Sequence, residues 1–294
     1  MTNNSKCVKY NDYFSDQLYT WCTNCGNYAL HSALKRALVA EKIAPKDTLM
    51  VFDIGCHGNG ADKIDAYTVH GIHGRVIPFA AGAQLANRNM KVFAFGGDGG
   101  ILSEGINHLV HAIRCDFDLV FVLHNNRNYG LTTGQASATT PKGFEMNSAP
   151  NGVTEEPINP TEFVLSLDPT FVARGFSGNI KKLTQIFKQA INHQGFSFVE
   201  VLQDCPTYNS ATPHNWYLER VIDVDIFDNY DRSDIKQAKK ICKDMAEKIA
   251  TGVLYKNEDS DDYYTRQPSR KDMKSELVEE VQQEQITELL EEFR

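Results

Sequence analysis

VFAFGGDGG, residues 92–100, is an apolar run that breaks into four glycines around one aspartate. Short apolar runs bounded by glycine suit strands buried on both faces, as in parallel sheets. Three other stretches share this form: LMVFDIG (49–55), DLVFVLHNN (118–126) and FSFVEVLQDCP (196–206). Between the strands lie helical patterns. NYALHSALKRAL (27–38) is the first. EGINHLVHAIR (104–114) puts Ile106, Leu109, Val110 and Ile113 on one face, and NIKKLTQIFKQAINH (179–193) does the same with Leu183, Phe187, Ala190 and Ile191. The alternation predicts βαβ units and an α/β fold with a mostly parallel sheet flanked by helices. Such sheets bind ligands at the carboxyl ends of their strands. All four runs end there in Gly, Asn or Cys.

Composition narrows the classes. The chain has 294 residues, 41% of them apolar, enough for a sizeable core. A net charge of −8, from 38 acidic and 30 basic residues, argues against a nucleic-acid partner. The opening MTNNSKCVKYNDYF carries no apolar signal region, and no run of about 18 apolar residues exists to span a membrane. A cytoplasmic protein without membrane contact is expected. Residues 1–255 read as the main domain. Residues 256–294 read as a charged linker and an acidic amphipathic helical tail, with Leu277, Val281, Leu289 and Phe293 among its apolar points. The polar stretch 132–161 is long for a loop in a compact domain, and such loops are usually functional or mobile.

The aspartate in GGDGG decides the chemistry. Glycines let backbone N–H groups approach phosphate oxygens, and a following helix adds a favourable dipole. A carboxylate beside a diphosphate repels it unless a divalent cation lies between them, and Mg²⁺ suits that place. Asn125 and Asn126 end the next strand with uncharged oxygen ligands, 28 positions after Asp98 for Asn126. GDG, 25 residues, then NN resembles the thiamine diphosphate-binding motif. By that resemblance Asp98, the Asn126 side chain and the Asn128 carbonyl hold Mg²⁺. Gly97, Gly99, Gly100, Gly130 and Leu131 line the cofactor.

The resemblance narrows further. WCTNCG, DIGC, HGR, GDGG, NNRNYGLTTGQ and QDCPTYN, in that order, resemble the β subunit of 2-oxoacid:ferredoxin oxidoreductases over roughly residues 15–255. This implies cofactor contacts from Ile54, Gly55, Cys56, His57 and His73, with His73 also the catalytic candidate. Arg75 reads equally as an anion ligand or as a structural ion pair, and Gln135 as a residue that orders the long loop.

Seven cysteines are present. Cys22 and Cys25 form a CxxC; Cys56 and Cys205 each follow a strand at the ligand edge. Four thiolates suit zinc or an iron–sulfur cluster. Oxidation of a decarboxylated 2-oxoacid needs an electron acceptor, which redox-inert zinc cannot be. In the resembling family these positions hold a 4Fe-4S cluster. Cys7, Cys115 and Cys242 match no motif.

The implied reaction is oxidative decarboxylation of a 2-oxoacid with coenzyme A, giving acyl-CoA, CO₂ and reduced ferredoxin, or the reverse. The implied partners are an α subunit and ferredoxin. The α subunit is expected to supply the coenzyme A site and the glutamate that activates thiamine, for which this chain offers no residue. A non-oxidative thiamine diphosphate-dependent 2-oxoacid decarboxylase is the alternative reading, and a zinc-stabilised nucleotide-binding module a third. Three departures stand out. Asn59 occupies a place where relatives often carry a basic residue, GDGG replaces the common GDGD, and the first CxxC encloses Thr-Asn instead of Pro-Gly.

Overall fold

The computed structural model describes residues 7–244 and 247–281. Its strands are β1 (Thr48–Phe52), β2 (Tyr67–His70), β3 (Lys91–Gly97), β4 (Val120–Asn125), β5 (Phe171–Phe176), β6 (Ser197–Leu202), β7 (Val221–Asp223) and β8 (Ile249–Lys256). They form one sheet in the order β2-β1-β3-β4-β6-β5-β8-β7. Every pairing is parallel except that of β5 with β8. The helices are α1 (Gly26–Ala40), α2 (Val76–Ala86), α3 (Ile106–Cys115), α4 (Pro160–Leu165), α5 (Ile180–Ile191), α6 (His214–Arg220), α7 (Ile235–Asp244) and α8 (Leu277–Glu280). The mostly parallel sheet with flanking helices expected from the sequence is the observed fold.

The strands read as unbroken apolar runs because both faces are covered. Alternate residues point to opposite sides. Phe52, Phe93, Phe95, Val120 and Val122 meet Leu30, Leu34 and Leu38 of α1 and Leu183 and Phe187 of α5. Val51, Val92, Ala94, Phe121 and Leu123 meet Ile77 of α2 and Leu109 and Ile113 of α3 on the other face. Each such side chain contributes about 1.5–3 kcal/mol by leaving water. The sheet is thereby fixed as a rigid platform, and its carboxyl edge becomes the place where loops can carry chemistry.

Several boundaries differ from the periodicity. The expected strand 49–55 ends at Phe52, because Asp53 to Gly55 leaves the sheet, with Gly55 at φ 146°. The expected strand 92–100 ends at Gly97, and Gly100–Glu104 forms a π-helical turn before α3. β5 reads FVARGF and was not expected, since Arg174 and Gly175 interrupt its apolar pattern. Arg174 is accommodated because Glu200 of β6 lies opposite it in register. α2 also escaped notice; its Pro78 sits in the first turn, where a missing N–H costs no helical hydrogen bond. Beyond β8 the chain lies against the domain, with Gln194 donating to Asp262 and Arg88 to Glu276. Leu289 and Phe293 of the expected tail helix lie outside the described residues. Among the described residues no helix is long and apolar enough to cross a membrane.

Candidate active site

β1, β3, β4 and β6 are consecutive in the sheet and parallel, so their carboxyl ends open onto one edge. A cavity of about 350 Å³ lies there. Ile54, Gly55, Cys56 and His57 reach it from β1, and Gly97, Asp98, Gly99 and Gly100 from β3. Asn126, Asn128, Gly130 and Leu131 follow β4, and His73 precedes α2. Every residue expected around thiamine diphosphate and Mg²⁺ therefore meets in one place. His124, Tyr129 and Thr132 line it as well and were not anticipated.

Asp98 is 1% exposed. Ser137 Oγ and Thr139 Oγ1 each donate to its Oδ2 at 2.5 Å. Both donors come from the polar stretch 132–161, so the long loop wraps the carboxylate. Burial still pushes Asp98 up to about 6, against the pull of those hydroxyls and the Asn126 N–H. A carboxylate held this way gains from a cation. Asn126 Oδ1 accepts the Asn128 N–H at 3.2 Å, and Arg127 between them takes φ 59°, turning the chain back on itself. Asn209 Nδ2 donates to the Asn126 carbonyl at 3.0 Å, tying the QDCPTYN segment to this turn. Among the described residues the buried Asn128 Oδ1 and Nδ2 atoms find no protein partner, nor does His57 Nε2. Orphaned polar atoms around a cavity fit a polar ligand. Gln135 closes the turn, accepting the Tyr129 N–H at 2.9 Å through its carbonyl.

The fourth position of GDGG has a steric explanation. A Cβ on Gly100 would lie 2.6 Å from Asp53 Oδ2 and 2.8 Å from His73 Nε2. Asp53 fills the space a side chain there would need. It is fully buried, its Oδ1 accepts the N–H groups of Ile54 and Gly74 at 2.8 Å each, and its Oδ2 has no partner among the described residues. Burial raises its pKa, against those two N–H groups and His73. His73 Nδ1 lies 3.5 Å from Glu104 Oε2, an ion-pair distance that turns Nε2 toward Gly100. Arg75 is not in the cavity; its Nη1 donates to the carbonyls of Glu104 and Gly74.

Cys22, Cys25, Cys56 and Cys205 all line a second cavity of about 160 Å³. It shares Cys56, Asn126, Gly130 and Leu131 with the first. Gly130 lies beside both Cys56 and Cys205: a Cβ there would be in ordinary contact with their sulfurs, at 3.4 Å and 3.7 Å. Burial, reinforced by the neighbouring thiols, pushes Cys25 up to about 12 and Cys56 up to about 11. Among the described residues no three His, Cys, Asp or Glu side chains converge closely enough to hold a single ion. The Thr-Asn departure also resolves: Asn24 sits at φ 65°, a left-handed conformation that Asn tolerates nearly as Gly does. Trp21 Nε1 donates to the Cys56 carbonyl at 2.6 Å, locking the CxxC onto the loop after β1. Asn59 lies in this same lining.

Known proteins resemble this chain along most of its length. Residues 53–201 match the thiamine pyrophosphate enzyme C-terminal TPP binding domain, and residues 205–272 match the C-terminal region of the pyruvate ferredoxin oxidoreductase beta subunit. The 2-oxoacid:ferredoxin oxidoreductase subunit beta of Saccharolobus solfataricus is 39% identical over 81% of this chain and 82% of its own. That of a Sulfolobus species is 36% identical over 83% and 84%. A solved 2-oxoglutarate:ferredoxin oxidoreductase from Magnetococcus marinus, with 2-oxoglutarate, coenzyme A and succinyl-CoA bound, superposes with a TM-score of 0.84 at 31% identity, covering 88% of each chain. The chain thus belongs to the family of 2-oxoacid:ferredoxin oxidoreductase beta subunits, built on a thiamine diphosphate-binding domain.

Proposed function

We propose that this chain is the cofactor-bearing half of an α/β complex that oxidatively decarboxylates a 2-oxoacid with coenzyme A and passes the electrons to ferredoxin, or runs the reverse. The observation that carries this reading is the shared wall: Cys56, Asn126, Gly130 and Leu131 belong to both the diphosphate-type cavity and the four-cysteine cavity. A decarboxylase without an electron acceptor has no use for that adjacency. Four sulfurs spread around a cavity also suit a 4Fe-4S cluster better than one zinc, whose sulfurs would all lie about 2.3 Å from one point.

When bound, thiamine diphosphate supplies the carbanion chemistry that parts carboxylate from carbonyl, and the cluster supplies one-electron transfer. The chain's own residues do the rest. Asp98, Asn126 and Asn128 would hold Mg²⁺ on the diphosphate, with Gly99 and Gly100 in the same cavity wall. Asp53 and Glu104 flank His73 and present Nε2 at the cavity wall, where it can give or take a proton. Cys22, Cys25, Cys56 and Cys205 would ligate the cluster. Asp98 is the only carboxylate among the described lining residues. With Asp98 on the metal, the acid that activates the aminopyrimidine must come from an α subunit. Ile54 and Leu131 in the cavity lining are 39% and 48% exposed and give such a partner an apolar surface at the site.

The test uses the complex purified anaerobically with its partner. A 2-oxoacid and coenzyme A together should reduce ferredoxin, and Cys205→Ser should abolish the reduction while leaving thiamine diphosphate bound. Undiminished CO₂ release with an aldehyde product in Cys205→Ser would favour the non-oxidative decarboxylase instead.

A further inference from the structure

Another cavity at this sheet edge, of about 290 Å³, has Asn125 and Thr139 in its lining. Its floor is Arg174, which is 5% exposed. Arg174 Nε donates to Glu200 Oε2 at 2.7 Å and Thr161 Oγ1 at 3.1 Å, and Nη2 to Asn159 Oδ1 at 3.0 Å. Its Nη1 makes no hydrogen bond among the described residues, although a guanidinium has five donors to satisfy. The walls add Arg127, Arg220 and Lys248. The guanidinium carbons of Arg127 and Arg220 stand 4.8 Å and 4.5 Å from the Trp216 ring, so one indole gathers two cations. Arg127 forms no ion pair among the described residues, and its φ of 59° is uncommon for a residue with a side chain. Among the described residues four cationic and two acidic side chains line the cavity, in a chain whose net charge is −8. One of the acids, Glu200, is already saturated by Arg174, Thr161 and Asn125.

We propose that this cavity binds a small phosphate-bearing anion. Guanidinium forks match phosphate oxygens in pairs, and a positive concavity in an acidic protein concentrates anions. The volume falls at the low end for ligand sites, which selects a single small molecule. Neither the expected metal ligands nor the four clustered cysteines line it, so this is a further cavity, joined to the diphosphate-type cavity described above through Thr139, which donates to Asp98.

The probe is inorganic phosphate, titrated into the complex already saturated with thiamine diphosphate and Mg²⁺, with chloride holding ionic strength constant. Trp216 is one of only two tryptophans, so its fluorescence reports occupancy beside calorimetry. Saturable binding is expected, weakened at least tenfold by Arg220→Gln with Lys248→Gln. Trp216→Phe should erase the optical signal while calorimetry still registers phosphate. Lys248→Gln alone, at an exposed position, serves if the double variant does not fold, and should weaken binding measurably. Non-saturable binding, an equal response to chloride, or unchanged affinity in the charge variants would overturn the assignment. So would a structure of the complex with an acidic side chain of the partner filling the cavity.

Discussion

Asp53 and Gly100 should behave as one steric unit. Gly100 has no left-handed φ to require glycine, so only space forbids a side chain there. In Gly100→Ala the new Cβ would meet Asp53 Oδ2 at 2.6 Å and His73 Nε2 at 2.8 Å, well inside ordinary contact. Overpacking of this kind costs about 1–3 kcal/mol. Gly100→Asp adds a second carboxylate beside the first; like charges about 4 Å apart add roughly 1–4 kcal/mol, depending on the local dielectric. Removing Asp53 at the same time removes the closer contact and the charge, leaving only the His73 ring to shift. The double variant Asp53→Gly, Gly100→Asp should therefore recover about 2 kcal/mol relative to Gly100→Asp alone, within the range of couplings between touching residues. Thermal unfolding of the cofactor-free chain reads this as roughly 4–8 °C, since 1 kcal/mol moves a protein of this size by about 2–4 °C. A thiamine diphosphate titration with Mg²⁺ should follow the same order. A double variant no more stable than Gly100→Asp would refute the account of why this chain carries GDGG.

Other outcomes follow from the buried charges. The rise of Asp98 from 3.8 to about 6 means its ionised form costs about 3 kcal/mol in the metal-free fold above pH 6, a penalty that fades toward pH 3.8. Asp98→Asn should thus melt no lower than the parent at pH 7 without cofactor, yet lose Mg²⁺-dependent thiamine diphosphate binding; a clear drop in melting temperature would contradict this. Burial drives His31 and His124 down to about 3, so the folded chain holds both neutral. Stability from these groups is full above pH 6.5 and falls progressively below it, and His31→Gln should shift the acid-unfolding midpoint downward; an unchanged midpoint would count against it. Glu200→Gln leaves the buried Arg174 without its counter-charge, an about 3 kcal/mol loss that calorimetry should register as a melting temperature lowered by roughly 6–12 °C.

Much of the site was legible because the cofactor demands particular backbone and ligand types at strand ends, and strand ends are visible in sequence. Asp98, Asn126, Cys56 and Cys205 fall where parallel strands stop, and the sheet order brings those stops together, while Cys22 and Cys25 come from the turn before α1. What escaped was whatever depends on packing across the fold. Asp53 reads as an ordinary residue after an apolar run; only the space around Gly100 shows what it replaces. Ser137 and Thr139 lie in a loop without periodicity, so nothing marks them as donors to Asp98. β5 hides behind Arg174, whose partner Glu200 is 26 residues away in sequence. The Arg127–Trp216 stack joins two segments that no local pattern connects.

The central claim is that one chain joins a thiamine diphosphate site to an iron–sulfur cluster across Cys56. Iron and acid-labile sulfide per chain, after anaerobic purification with any co-purifying partner, test it most directly. About four of each, once clusters held by a partner are subtracted, is the predicted result. Zinc or no metal at all, with thiamine diphosphate still bound, would leave the four cysteines without a redox role and contradict the account.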